Sequence, residues 1–343
     1  MNTCRKGMRV TRVFFVLLLS LLAACGSVPA VSVLEVAAKP ESALPAETVS
    51  AAVTATTEST EEPAAAPLLM PGEPPESERI LEDTDSSIRA YEKRALTGDN
   101  ILKNLYERPF TAEEMVYLPD VDIQTAEIAN DETFFYFTIT LKDVDTSTGT
   151  LTGTYGIEFD RTKTGRGDLL VMASAPQPEW STVNLNVYAD TNGDVSGIKP
   201  ILAEAGFSGD GYETAIALKG DRVAYARINP EDIAVIQIAI SRALLEDTEE
   251  FLWGAWADKV VKDPTKFDYN DAFGPNEAGS PLKLSGDYPL KALHSLDNTC
   301  RLPYGFGTTG GIPGMCISIP KVEKEKGKPG EPAVIPDSVR PGT

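Results

Sequence analysis

The chain has 343 residues, a formal net charge of −20, one histidine and four cysteines. A single histidine excludes multi-histidine zinc sites and two-histidine iron sites. The negative balance argues against a nucleic-acid binder, which needs a basic surface to displace counterions. Hydrophobic residues make up 42%, enough for a globular core and too few for a multi-span membrane protein.

Arg5, Lys6, Arg9 and Arg12 form a positive leader without an acid, followed by an apolar run from Val13 to Ala24. The run is too short to span a bilayer core, which needs about 20 residues, and it suits the apolar region of a signal peptide. It ends Leu22-Ala23-Ala24-Cys25-Gly26-Ser27, which resembles the bacterial lipobox. The resemblance implies a diacylglyceryl group on Cys25. The protein is then held at the outer face of the cytoplasmic membrane, or at an outer membrane where one exists. An ordinary signal peptide followed by a chance cysteine is the plainer alternative. Loss of 1–24 removes four basic residues and no acid, which moves the net charge to −24. Cys4 leaves with the leader and Cys25 carries lipid. Cys300 and Cys316 remain as an even pair in an oxidising compartment, expected to form one disulfide. Such a closure stabilises by about 3 kcal/mol in the loop-entropy picture. Nothing histidine-rich or CxxC-like surrounds the pair to suggest metal or redox chemistry.

Residues 25–85 read as a disordered acidic stalk. Segment 26–85 has no aromatic residue, is rich in Ala, Pro, Glu, Ser and Thr, and carries two basic against twelve acidic residues. Such a chain cannot bury enough apolar surface to offset its conformational entropy. A flexible stretch of this length spans about 45 Å on average, enough to hold a domain off a membrane surface. The tail 321–343 has the same character. The body is therefore 86–320, which holds all three tryptophans and all eleven tyrosines. Its length permits one domain with a large core.

The body opens with an expected short helix, capped by Ser86 or Ser87, with Ile88, Tyr91 and Ala95 on one face before Gly98. A further helical turn is expected at 101–106. After Pro119 the apolar period changes to two. Strands are expected at Thr133–Leu141, Gly149–Phe159, Asp168–Ala173, Val183–Tyr188, Tyr212–Leu218, Arg222–Arg227, Ile233–Ile240 and Phe251–Ala257. A helical reading of 230–251 competes, but Ile236, Ile238 and Ile240 favour a strand with a helical turn after Arg242. Short strands joined by polar turns define a mostly β, antiparallel, jelly-roll-like sandwich. Regular βαβ units and a glycine-rich phosphate loop are absent, which excludes the usual nucleotide-binding α/β architecture. From Asp258 the pattern dissolves into an irregular segment rich in Gly, Pro, Asp and aromatics. It is expected to be clipped by Cys300–Cys316 and laid over the sandwich.

Several stretches resemble a group of uncharacterised bacterial extracytoplasmic lipoproteins. They are Asn104–Phe110, Tyr117–Ile123, Tyr188–Gly197, Phe267–Phe273, Ala278–Lys283 and Tyr288–Arg301. The resemblance covers nearly the whole body and brings no activity with it. The strand order, with "VDIQTAEIANDETFFYFTITL" and "VYADTNGDVSG", looks like family-9-type carbohydrate-binding modules and the related DOMON sandwiches. Those domains bind sugars, and some use calcium or heme; the likeness is one of pattern and assigns no site residue.

Asp190, Asn192 and Asp194 place oxygen side chains at alternate positions, as calcium loops do. The glycine stands at the fourth position of that run instead of the sixth, and residue 201 is not a glutamate. A hairpin turn on Asn192-Gly193 explains the same residues. Asp160 and Asp168 bracket a second acidic loop, in which Arg166-Gly167-Asp168 is read as turn chemistry. Trp180, Trp256, Tyr269, Tyr288 and Tyr304 are the candidate sugar-stacking aromatics. Trp253 and Trp256 are an odd number of residues apart and face opposite sides of a strand. Tryptophan more often belongs to a core, and His294, standing alone, more often to a structural hydrogen bond.

These residues together predict a lipid-anchored extracytoplasmic lipoprotein with a non-catalytic binding role. An extracellular polysaccharide is the leading ligand class, and calcium is the cofactor that the acidic loops would take. The alternative is a structural or assembly protein that binds another envelope protein. Third comes a carboxylate-dependent, glycosidase-like enzyme, for which no acid pair is marked by context.

Overall fold

The computed structural model describes residues 69–195, 211–308 and 315–316. The expected signal segment 1–24, Cys25, the tail 321–343 and most of the expected stalk lie outside them. No helix among the described residues is long and apolar enough to cross a membrane.

Thirteen strands are found among the described residues. In chain order they begin with β1 (Arg79–Glu82), β2 (Glu107–Arg108), β3 (Ile123–Asn130), β4 (Phe134–Leu141) and β5 (Thr154–Asp160). There follow β6 (Leu169–Ser174), β7 (Leu185–Ala189), β8 (Thr214–Ala215), β9 (Ala224–Ile228) and β10 (Val235–Ser241). The last are β11 (Phe251–Asp258), β12 (Leu296–Asn298) and β13 (Leu302–Tyr304). They form two antiparallel sheets. The smaller has the order β1-β3-β4-β10-β9. The larger runs β2-β12-β11-β5-β6-β7-β8, with β13 also on β11. The chain changes sheet between β1 and β2, β2 and β3, β4 and β5, β8 and β9, and β10 and β11, so the sandwich closes through long-range pairings.

The core between the sheets follows from the period-two pattern. Phe135, Phe137 and Ile139 of β4 and Ile236, Ile238 and Ile240 of β10 point inward from the small sheet. Tyr155, Ile157 and Phe159 of β5 meet them with Phe251 and Trp253 of β11. Phe137 lies edge-on to Phe159 and Trp253, with ring centroids 5.4 and 5.2 Å apart, a favoured aromatic geometry.

Both sheets are also covered on their outer faces. On the large sheet, Leu170, Met172 and Trp256 lie under Tyr106, Phe267 and Tyr269. The irregular segment after Asp258 thus covers the sandwich as its composition suggests. On the small sheet, residues 69–73 cross the outer face. The Tyr225 hydroxyl donates to the Leu69 carbonyl at 2.9 Å, and Trp180 Nε1 donates to the Gly72 carbonyl at 3.1 Å.

This corrects the expected stalk boundary. Residues 69–85 are part of the fold, and β1 pairs with β3 in register from Arg79↔Ile128 to Glu82↔Thr125. The strand is short and charged, and buries only Leu81; charges of this kind protect a sheet edge from further pairing. The expected helical face at the body's start does not form either. The first helix, α1 (Ser87–Ala90), has four residues, and Ile88 and Tyr91 are exposed. Lys93 takes a left-handed backbone conformation at φ 54°, which ends any helix before a stripe can develop. The helical turns expected near 101 and after Arg242 are present as 3-10 turns, Ile101–Lys103 and Arg242–Leu245. The other α-helix, α2 (Pro275–Ala278), lies in the irregular segment.

Cys300 and Cys316 are bonded, with Cα atoms 5.1 Å apart. The bond ties the link between β12 and β13 to residues 315–316.

Phe137→Ala is expected to cost about 3–5 kcal/mol of unfolding free energy through lost burial and a residual cavity. Ile80→Ala, on the exposed side of β1, should shift it by less than about 0.5 kcal/mol. Denaturant unfolding of both variants measures the contrast.

Candidate functional site

The covered outer faces remove most of the candidate aromatics from any binding surface. Trp256 and Tyr269 are fully buried and pack on each other and on Phe267, with the Trp256 and Phe267 ring centroids 4.1 Å apart. Neither can stack on a sugar. Trp253 is buried as well, so the odd spacing of the two tryptophans places them in two different cores. Trp180 is half-buried between Tyr136 and the guanidinium of Arg227, which lies 4.4 Å from its ring centre. Tyr288 is half-buried and donates its hydroxyl to the Lys93 carbonyl at 2.9 Å. Tyr304 is buried, its ring stacked on Phe251 at 5.2 Å. The structure does not bring the five aromatics together.

The tip of Tyr304 nevertheless reaches an open cleft of about 620 Å³ at one end of the sandwich. The starts of β1 and β11 meet the end of β13 there. Glu78, Glu249, Glu250, Tyr304 and Phe306 line it. The Tyr304 hydroxyl donates to Glu78 Oε2 at 3.1 Å and accepts from Asn130 Nδ2 at 2.8 Å. Burial and the adjacent Glu78 push this phenol up to about 12. Phe306 is half-buried, with Lys163 Nζ 5.1 Å from its ring centre. Lys163 also pairs with Glu250 at 2.7 Å. Gly305 sets the wall: its φ is +78°, and a Cβ there would lie 1.9 Å from the Glu249 carbonyl oxygen.

The acidic loops separate into two kinds. Asp160 and Asp168 do not converge. Asp160 accepts from the backbone amides of Thr164 and Gly165 at 3.1 and 2.6 Å, and Asp168 is held by Arg161 at 2.6 Å. Here both act as turn locks. Asp190 and Asp194 do converge, joined by Glu213 from just before β8, with ligand oxygens within 4.8 Å of one another. Asn192 is joined to Asp194 by two hydrogen bonds, accepting from its amide at 3.0 Å and donating to its carboxylate at 3.2 Å. Asp190 accepts from Gly193 and Val195 amides at 2.6 and 3.0 Å, the bonding of a turn centred on Asn192-Gly193. Glu213 had no local signal.

Two further clusters are buried and join distant parts of the chain. On the outer face of the large sheet, Arg301 donates to both oxygens of Glu158, at 2.7 and 3.1 Å, and approaches Asp268 at 3.4 Å. Tyr212 and Trp256 also donate to Glu158, at 2.6 and 3.3 Å. Burial alone would raise Glu158, but the Arg301 charge and these donors hold its carboxyl below the usual range. Asp268 is pushed well up by burial and by the Glu158 charge.

The second cluster is acidic throughout. Glu107 and Asp297 are direct partners on the adjacent strands β2 and β12, a placement that sets like charges side by side. Asp122, just before β3, completes a buried trio whose ligand oxygens lie within 4.8 Å of one another. Asp83 follows β1 close by. Asp297 Oδ2 accepts from the Ile123 amide at 2.8 Å, Glu107 Oε1 from Ser86 Oγ at 2.5 Å, and Asp122 from the Tyr117 hydroxyl. Burial first, then mutual repulsion, raises Glu107 and Asp297 well above the carboxylate range. Asp83 and Asp122 are raised to about 7 by burial first, reinforced for Asp83 by Asp122 and for Asp122 by Asp85. Among the described residues, no lysine or arginine forms an ion pair with any of the four.

His294 is half-buried, its Nδ1 is 2.8 Å from Ser295 Oγ, and burial lowers its pKa. No family model, curated protein or solved structure matches the chain. The fold and site thus define a two-sheet, disulfide-bonded sandwich with an open cleft at one end of the described residues.

Removing Arg301 leaves buried carboxylate unpaired. Arg301→Leu should lose about 3–5 kcal/mol of stability, whereas Lys163→Ala, at a surface pair, should lose under about 1 kcal/mol. Thermal and denaturant melts of the two variants compare them.

Proposed function

We propose that the protein is a lipid-anchored extracytoplasmic lipoprotein whose sandwich binds an extracellular polysaccharide without turning it over. The observation that carries this reading is the open cleft formed by Glu78, Glu249, Glu250, Tyr304 and Phe306. Sugar sites combine an aromatic face for the ring's C–H groups with carboxylates that accept hydroxyl hydrogens. Hydrogen bonds to an ionised acceptor are the stronger kind, and a ring at the rim supplies apolar contact where one side stays wet. Phe306 offers that ring, the three glutamates offer the acceptors, and the Tyr304 hydroxyl is positioned between them.

The cleft's charge narrows the ligand. Three glutamates outnumber Arg79 and Lys163 at its wall, and Lys163 is already engaged by Glu250. Like charges in a site repel a polyanion, so the fitting ligand is a neutral polysaccharide. The anchor belongs to the same reading: a positive leader, a short apolar run and Cys25 at its end tether the sandwich through an acidic linker.

Two outcomes check this. On a glycan array, the full chain should retain neutral oligosaccharides, and Phe306→Ala should weaken retention roughly tenfold; an array without a hit, or an unaffected variant, removes the cleft as a sugar site. In cells, Cys25→Ser should abolish incorporation of labelled fatty acid and move the protein out of the membrane fraction. Unchanged labelling would remove the anchor.

A further inference from the structure

Several buried carboxylates among the described residues are compensated in one of two ways. Asp99 is paired with Arg108 at 2.6 Å, Asp120 with Lys259 at 2.8 Å, and Glu158 with Arg301 at 2.7 Å. Asp258 is caged by the amides of Val260, Val261 and Lys262 at 2.7, 3.0 and 3.1 Å. Glu107, Asp122 and Asp297 have neither arrangement. They are all buried, face one another, and form no ion pair among the described residues. Asp297 has no solvent exposure, and its Oδ1 finds no hydrogen-bond partner among the described residues. The same is true of the Oδ2 atom of the neighbouring Asp83. A buried acceptor without a donor is costly, and two of them beside an uncompensated acidic trio point to a missing positive charge.

We propose that Glu107, Asp122 and Asp297 bind a hard divalent cation, calcium, that seals the end of the sandwich. The donor set is oxygen only, which suits calcium and does not suit zinc or copper. The oxygens lie within 4.8 Å of one another, which matches two Ca–O bonds of about 2.3–2.6 Å across one ion. The ion joins three segments that no local motif links: β2, the entry to β3, and β12. It also relieves the like-charge pairing of Glu107 with Asp297 across the β2–β12 ladder. This site is separate from the Asp190–Asp194–Glu213 group and from the cleft, so its test does not depend on the sugar reading.

The experiment uses the full chain, purified in detergent and stripped with a chelator, then titrated with calcium chloride. Calorimetry and thermal melting should show a calcium-dependent rise in melting temperature, with half-saturation at or below the roughly 10⁻⁴–10⁻³ M typical of extracellular modules. Asp297→Asn is the main variant. Its amide oxygen can still accept from the Ile123 amide, so the backbone contact survives. It should lose the calcium-dependent rise, as should Glu107→Gln, while Asp190→Asn keeps it. Terbium, competed by calcium, is a readout on the wild-type chain that needs no variant: the Tyr117 hydroxyl bonds Asp122, so that tyrosine should sensitise its emission. The assignment is overturned if the wild-type chain shows neither calcium binding nor calcium-displaceable terbium emission at millimolar calcium. It is equally overturned if Asp297→Asn retains the full rise, or if Asp190→Asn alone abolishes it. If the trio shares protons in place of a cation, calcium will leave the wild-type melt unchanged and Asp297→Asn will raise it, which also overturns the assignment.

Discussion

Strands β5 and β11 are buried on both faces, and the rest of the molecule is arranged around that constraint. Every residue of both strands is inaccessible, so a polar side chain on either must find its partners inside the protein. Glu158 does so on the outer face, through Arg301, Tyr212 and Trp256. Arg301 in turn sits next to Cys300, whose disulfide with Cys316 anchors the end of the segment that carries it. The same segment supplies Phe267 and Tyr269, which cover Trp256. The irregular stretch is therefore not an appendage. It supplies the second layer that lets the neighbouring central strands β11 and β5 hold Trp256 and Glu158 on one buried face.

The acidity of the chain takes on a structural meaning inside this frame. Some acids are satisfied by a cation from another strand, as Asp120 is by Lys259, which also reaches Asp145. Others lock turns by accepting backbone amides, as Asp160 and Asp258 do. Both devices meet the requirement that a buried charge be paired or fully hydrogen-bonded. Because these carboxylates have distinct partners, net charge alone describes little about binding. What matters is where compensation fails, and it fails at the trio where β2 meets β12.

The legible part of the fold was the part built on regular alternation. In β4, β10 and β11 the inward residues recur every second position, and pattern and strand coincide within one or two residues. Strand β3 escaped because a register shift between Ile123 and Thr125 puts Ile123 and Ala126 on the same inward face although they are three residues apart. A bulge of this kind breaks the period that sequence reading relies on. Strand β1 is four residues long with a single buried side chain, and β2, β12 and β13 have two or three residues each. Their pairing is decided by partners far along the chain. The burial of Trp256 and Tyr269 was illegible for a related reason: nothing local in either tells a covered face from an open one. The Glu107–Asp122–Asp297 group was illegible because its members come from positions up to 190 residues apart and meet only through the β2–β12 ladder.

The location of the open cleft follows from the same covering. A sandwich that left one sheet bare could present a broad aromatic platform along its strands. Here the large sheet is roofed by the segment after Asp258, and the small sheet carries residues 69–73 with Trp180 and Arg227 packed over it. What stays open is a rim, where strands end and loops diverge. At that rim the chain uses a glycine with positive φ, Gly305, to pass against the Glu249 carbonyl and turn Phe306 toward the cleft. If the cleft binds the proposed polysaccharide, its end-on position admits a narrow part of it, such as a chain terminus or a single residue. A flat crystalline surface does not fit into it. The geometry therefore constrains the mode of engagement more tightly than the chemical identity of what is engaged.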